Sequence, residues 1–251
     1  MPKIRVISRI DIKNEFAIKG IQLEGLRKVG DPNELAKKYY HQGVDELIFM
    51  DAVASYYDRN SLSHIIEKAC EDIFIPITVG GGLRNLNDIQ QALNSGADKV
   101  AINTQAHREP LFIKEASKKF GSQCIVGSVV AKKISPKKWE CYIENGREPT
   151  GVDVMEWIKK LQELGIGELM ITSVDQEGTK RGFDIDLCEE IANISKVPVI
   201  ISGGAGSNHD IVQISKYNID GVAIASLLHY DLTNIKDIKD ELLKNNLEVH
   251  R

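Results

Sequence analysis

The chain has 251 residues, 42% of them hydrophobic, and a formal net charge of −4. That size fits one large α/β barrel or two smaller domains, and the acidic balance with dispersed lysines excludes a general nucleic-acid surface. No run of about 18 apolar residues occurs, and Arg5, Arg9 and Asp11 interrupt the N-terminal segment, so neither a membrane span nor a signal peptide is expected and a cytoplasmic location is. In chain order, strand-like runs fall at 4–11, 45–51, 75–79, 98–102, 123–131, 167–173, 197–201 and 219–224. Helical patterns alternate with them near 32–42, 60–70, 85–95, 108–119, 152–164, 184–193, 207–216 and 234–244. Asp31-Pro32 is a strong helix start and Gly43 a strong stop. Two insertions interrupt the alternation. Residues 12–30 read as a long loop, and 132–150 as a small hairpin of Trp139 to Ile143 turning at Glu144-Asn145-Gly146. Cys70, Cys124, Cys141 and Cys188 lack metal spacing and the six histidines form no ligand pair, so reduced thiols are expected, and no metal or cofactor.

Two of the strand-like runs end in glycines. Ile75-Pro76-Ile77-Thr78-Val79 leads into Gly80-Gly81-Gly82, and Val197-Pro198-Val199-Ile200-Ile201 leads into Ser202-Gly203-Gly204-Ala205-Gly206. Glycine loops bare backbone N–H groups, and a helix starting just after points its positive end the same way, an arrangement suited to phosphate. The two loops belong to a longer repeat with offsets of 168 − 46 = 122, 203 − 80 = 123 and 223 − 101 = 122. Eight strand–helix units with one internal duplication predict a single (β/α)8 TIM barrel over 1–251, built from two similar half-barrels of about 1–121 and 122–251. An open doubly wound sheet is the alternative. Barrels of this kind carry their chemistry at the carboxyl ends of the strands. Asp11, Asp51, Gly80 to Gly82, Asn103, Thr104, Val130, Asp175 to Gly178, Gly203, Gly204, Ala225 and Ser226 stand there. One cluster follows strands 3 and 4 and the other follows strands 7 and 8, on opposite sides of the mouth. This predicts a long ligand with a phosphate at each end, the alternative being one anion loop and one plain turn.

A set of short stretches resembles a known family over essentially the full length. They are Asp11-Ile12-Lys13, Ile18-Lys19-Gly20, Gly30-Asp31-Pro32, Asp45-Glu46-Leu47, Val79-Gly80-Gly81-Gly82, Gly96-Ala97-Asp98-Lys99-Val100, Ile102-Asn103-Thr104, Phe120-Gly121-Ser122-Gln123, Gly178-Thr179-Lys180 and Ser202-Gly203-Gly204-Ala205-Gly206. They resemble the cyclase (synthase) subunit of imidazole glycerol phosphate synthase. The resemblance implies a (β/α)8 barrel that takes ammonia from a glutaminase subunit docked at its bottom, as a heterodimer. It implies addition of that ammonia to a two-phosphate ribulosyl aminoimidazole carboxamide, giving imidazole glycerol phosphate in histidine synthesis. It assigns phosphate and substrate binding to Lys19, Asp51, Gly81, Gly82, Asn103, Thr104, Thr172, Glu177, Gly178, Ser202, Gly203, Gly204, Ala225 and Ser226. It assigns an ammonia gate to Arg5, Glu46, Lys99 and Glu168, and a partner contact to Asp98.

The family's catalytic pair is an aspartate ending strand 1 and another ending strand 5, as general base and general acid. Asp11 matches the first, while Val130, which cannot transfer a proton, stands at the second. Ser128 should face the same way, but a hydroxyl is a poor acid; Lys132 and Lys133 lie further out. Strand alternation places Arg5, Ile7, Arg9 and Asp11 on one face. A buried Arg9 needs a partner, and Asp11 is the natural one; pairing would lower the Asp11 pKa and weaken it as a base. The alternatives are a substrate phosphate or Asp51. Glu177 replaces the aspartate usual beside a phosphate. Three functions are compatible with these residues: a cyclase subunit, a paralogue relaying ammonia for amidination of a cell-surface sugar, and a non-catalytic phosphate-binding scaffold.

Overall fold

The computed structural model of the chain describes residues 3–54 and 62–250. The strands in chain order are β1 (Arg5–Lys13), β2 (Phe16–Ile21), β3 (Glu24–Gly30), β4 (Glu46–Asp51), β5 (Ile77–Gly80), β6 (Lys99–Ile102), β7 (Ile125–Ser135), β8 (Lys138–Ile143), β9 (Glu148–Asp153), β10 (Glu168–Ser173), β11 (Val199–Ser202) and β12 (Gly221–Ile224). The helices are α1 (Pro32–His41), α2 (Ser63–Cys70), α3 (Leu86–Asn94), α4 (Thr104–Arg108), α5 (Leu111–Phe120), α6 (Val154–Leu164), α7 (Ile185–Ile194), α8 (Asn208–Ile214), α9 (Ser226–His229) and α10 (Ile235–Lys244). Strands β1, β4, β5, β6, β7, β10, β11 and β12 are parallel neighbours in that order, and β12 pairs back to β1 with Arg5 opposite Gly221. The ring is closed, so the fold is a (β/α)8 barrel and the open sheet is excluded. Residues 60 and 61 of one expected helix lie outside the described residues.

The strands read as near-continuous apolar runs because both of their faces are covered. All six residues of β10 are buried. Outward-facing Val6, Ile10 and Ile12 of β1 join the shell between barrel and helices, together with Ala36 and Tyr39 of α1. Ile7 points inward, into a second apolar group with Ile48, Ala101, Val126, Met170, Ile200 and Ala223. Each large apolar side chain so buried contributes about 1.5–3 kcal/mol. Helix α1 forms where its signals place it: the Asp31 side chain accepts from Asn33 N at 2.8 Å and Glu34 N at 3.0 Å, and Gly43 leaves the helix at φ +84°. Among the described residues no helix is long and apolar enough to cross a membrane.

The internal repeat is more regular than its sequence reading. Gly81 and Gly203 share φ of +98° and +97°, and the following Gly82 and Gly204 are also left-handed. The structural partner of Gly203 is therefore Gly81, and the offset is 203 − 81 = 122, like the others. Asp98 accepts from Ile77 N at 2.8 Å, and Asp220 accepts from Val199 N at 2.8 Å, again 122 residues apart on both sides.

Three expectations need correction. Residues 12–30 are not a loop: β2 and β3 form an antiparallel hairpin that continues from β1. Its tip is Gln22-Leu23, both at positive φ, with none of the glycine or asparagine that marks such turns in sequence. The helix expected at 108–119 is α5, which starts only at Leu111, after Pro110, and it is preceded by a short helix, α4, that the sequence reading did not give. The helices after the glycine loops do not offer free N-termini. Asn85 and Asp88 form a capping box on α3, and Ser207 caps α8. Among the four site helices, the starts without a side-chain cap are those of α4 and α9, at Asn103 and Ala225. The second insertion is a hairpin turning at Glu144 to Gly146, as read, extended by β7 on one side and β9 on the other.

Candidate active site

Side chains fill the barrel interior in layers, and the lowest is charged. Arg5, Glu46, Lys99 and Glu168 are the first residues of β1, β4, β6 and β10. Arg5 donates to Glu46 at 2.8 Å and to Glu168, and Lys99 donates to Glu46 at 2.9 Å and to Glu168 at 2.7 Å. Two cations and two carboxylates therefore alternate around one ring. Thr78, which the sequence reading missed, adds a hydrogen bond to Glu46 at 2.7 Å. Glu46 is only 1% exposed, so each of its oxygens needs these donors. Burial lowers the Arg5 pKa, but the two facing carboxylates outweigh it and the guanidinium is held more firmly charged. Asp98 lies exposed at the same end, tied to the start of β5.

Above this ring lies the apolar layer of Ile7, Ile48, Ala101, Val126, Met170, Ile200 and Ala223. The next layer is polar again. Arg9 donates through Nε to Asp11 at 2.8 Å, and through Nη1 to Thr172 at 2.9 Å and to Ser202 at 3.4 Å. It reaches from β1 past β12 to β11 and β10, a chord across the barrel. Lys19, carried by the hairpin, donates to Asp11 at 3.3 Å and to Glu177. Burial alone would raise the Asp11 pKa, but the charges of Arg9 and Lys19 with their hydrogen bonds overcome it and hold it at about 2. The Arg9–Asp11 pairing expected from strand alternation is present. Lys19 as a second partner was not legible, because it depends on where the hairpin folds.

Val130 lies at the level of Asp11 on β7, packed with Leu23, Val174 and Tyr142. The position facing the base is thus the core of an apolar wall, with Leu23 delivered by the hairpin tip. Ser128 and Thr172 border the same cavity as Val130. That cavity, of about 80 Å³, also exposes Arg9, Asp51, Gly81, Gly82, Asn103 and Thr104, together with Arg84 and Arg108, which the sequence reading did not single out. Asn103 Nδ2 donates to Tyr142 O at 3.0 Å and Thr104 Oγ1 accepts from Glu144 N at 3.2 Å, so both also anchor the second insertion over the mouth. Across the barrel, Glu177, Gly178, Ser202, Gly203, Gly204, Ala225 and Ser226 line a smaller space of about 10 Å³. Glu177 is buried against Gly203, and its carboxylate is met by Lys19. Asp11, Lys19 and Glu177 border a third space between the two. The structure thus gathers the two glycine clusters around one charged centre.

Comparisons with known proteins fit this layout. A family model described as histidine biosynthesis protein matches residues 5–234, which covers every strand of the barrel. The chain is 52% identical over 206 residues to imidazole glycerol phosphate synthase subunit HisF of Legionella pneumophila, covering 82% of this chain and 97% of the relative. It is 43% identical over 245 residues to the HisF subunit of Lactococcus lactis subsp. cremoris (strain MG1363), covering 97% and 95%. It is also 43% identical over 246 residues to HisF of Bacillus cereus (strain ATCC 10987 / NRS 248), covering 98% of each chain. The chain belongs to the histidine biosynthesis protein family of (β/α)8 barrels, on the branch of its HisF subunits.

Proposed function

We propose that the chain is the synthase subunit of a glutamine amidotransferase complex. A glutaminase partner docks at the barrel floor, near Asp98, and releases ammonia beneath the ring of Arg5, Glu46, Lys99 and Glu168. The ring parts to admit it. The apolar layer above then favours neutral ammonia over ammonium, because an unpaired charge there would lose its hydration without compensation. At the mouth the acceptor is held by its two phosphates, one on Gly81, Gly82, Asn103 and Thr104, the other on Gly178, Ser202, Gly203, Gly204, Ala225 and Ser226. On the first reading the acceptor is the ribulosyl aminoimidazole carboxamide, Asp11 is the base, and the product is imidazole glycerol phosphate for histidine synthesis.

The observation that carries the ammonia-using reading is the closed four-charge ring beneath an apolar layer. A barrel without a passage would gain more from an apolar floor, since buried ion pairs seldom repay their desolvation. The decisive experiment supplies the purified chain with an ammonium salt and the ribulosyl acceptor at alkaline pH. Formation of imidazole glycerol phosphate is expected; its absence removes the cyclase reading.

A second reading has its own support in Val130 and Asp11. The acid position is inside an apolar wall and the base is clamped between two cations. On this reading the chain relays ammonia to another acceptor, as in amidination of a cell-surface sugar. Stimulation of a co-purified glutaminase without cyclase turnover is its expected signature. If the glutaminase rate does not change, a phosphate-binding scaffold remains.

A further inference from the structure

Arg9 has a donor group with no assigned work. It is 5% exposed. Its Nε serves Asp11, its Nη1 serves Thr172 and Ser202, and its Nη2 has no hydrogen-bond partner among the described residues. The guanidinium borders the 80 Å³ cavity, the same one that exposes the Gly81-Gly82 loop. A buried donor facing a polar cavity is unfavourable until an oxygen meets it. Thr172 and Ser202 hold the guanidinium plane through Nη1, so Nη2 is fixed before any ligand arrives.

Arginine dominates the charged lining of that cavity. Its charged lining side chains are Arg9, Arg84, Arg108 and Asp51, with Arg9 paired to Asp11 and Arg108 to Glu144 at 2.7 Å. Asp11, Lys19 and Glu177 border the neighbouring space instead. Facing Arg9 across the mouth is Val130, in its wall of Leu23, Val174 and Tyr142. An aspartate there would repel an oxyanion bound to Arg9; valine does not. Arg9 and Val130 thus act in one direction.

We propose that Arg9 binds a carboxylate on the body of the acceptor, so that this mouth selects a phosphorylated organic acid over a sugar phosphate that lacks a carboxylate. Nη2 alone is left to meet it, so the contact is a single charge-assisted hydrogen bond from a donor held in place by Thr172 and Ser202, which the flexible lysine ammonium would not reproduce. This rests on the reading of the Gly81-Gly82 loop as a phosphate seat. It belongs with the second reading, whose acceptor is left open, since the ribulosyl aminoimidazole carboxamide of the first carries no carboxylate.

The test is calorimetric titration of the purified chain with inorganic phosphate, glycerol 3-phosphate and 3-phosphoglycerate. The two esters share the phosphate and differ by the carboxylate. Binding of 3-phosphoglycerate is expected to be roughly ten-fold tighter than that of glycerol 3-phosphate, as a hydrogen bond to a charged group provides. Arg9→Met and Val130→Asp should each abolish the ratio between the two affinities, whatever they do to the binding of glycerol 3-phosphate itself. Arg9→Lys keeps the charge without the Nη2 edge; a preference that survives in it belongs to net charge and overturns the proposal. Equal affinity of the wild-type chain for the two esters also overturns it, whatever the variants do. If neither ester nor phosphate binds, the phosphate seat itself falls, and the proposal with it.

Discussion

Asp11 can take a proton only against two cations. Arg9 and Lys19 both donate to it, and its pKa of about 2 means it stays ionised through the physiological range. The folded pKa lies below the ordinary 3.8, so this carboxylate stabilises the fold above about pH 4 and loses that contribution as pH falls toward 2. The difference of nearly two units is worth on the order of 2 kcal/mol. Carboxyl carbon NMR should therefore show no Asp11 titration from pH 4 upward, and in Arg9→Met its midpoint should move up. Much of this was legible in the sequence, because the period of a strand puts residues 9 and 11 on one face whatever surrounds them. The apolar burial of Val130 was not, because Leu23 reaches it from more than a hundred residues away in the chain.

The hairpin of β2 and β3 decides how open the mouth is. Gln22 N donates to Glu177 O at 2.7 Å and Gln22 Nε2 to Asp175 O at 3.3 Å, so the tip is latched to the segment after β10. Leu23, at φ +64°, accepts a conformation that a bulky residue avoids, and in return buries its side chain against Val130 and Val174. Gly178 makes the latch possible: it has φ +71°, and a methyl there would collide with the Gly20 carbonyl oxygen. Gly178→Ala is expected to lift the hairpin while leaving the barrel folded. Faster hydrogen exchange at the Gln22 amide, with the far-ultraviolet spectrum unchanged, would show it; unchanged exchange would mean that the latch does not depend on this contact. The hairpin itself escaped sequence reading because its turn carries no turn residues and its second strand alternates weakly, Glu24 and Gly25 being exposed.

At the scale of the whole molecule, the barrel sets two charged layers on either side of one apolar layer. Ala101 and Ala223 are the small members of that apolar layer. Ala223→Leu should cost about 2 kcal/mol by overpacking, read as a lower urea midpoint. If the interior is the ammonia path, it should also reduce glutamine-driven synthesis far more than synthesis driven by ammonium salt, which reaches the mouth from solvent. Equal losses would place the path elsewhere. What the sequence determined by itself was whatever is periodic or repeated: the strand–helix alternation, the duplication at 122 residues, the closed ring, the inward row from Arg5 to Asp11 and the charged first residues of four strands. Those follow from local geometry and from one unit folding the same way twice. Only the tertiary structure decided that Lys19 meets Asp11 and Glu177, that Leu23 walls in Val130 and that Arg9, tied to Asp11 and Thr172, borders the cavity. Each of these depends on where a hairpin lands or how a long side chain crosses the barrel, and contacts between elements distant in sequence leave no period to read.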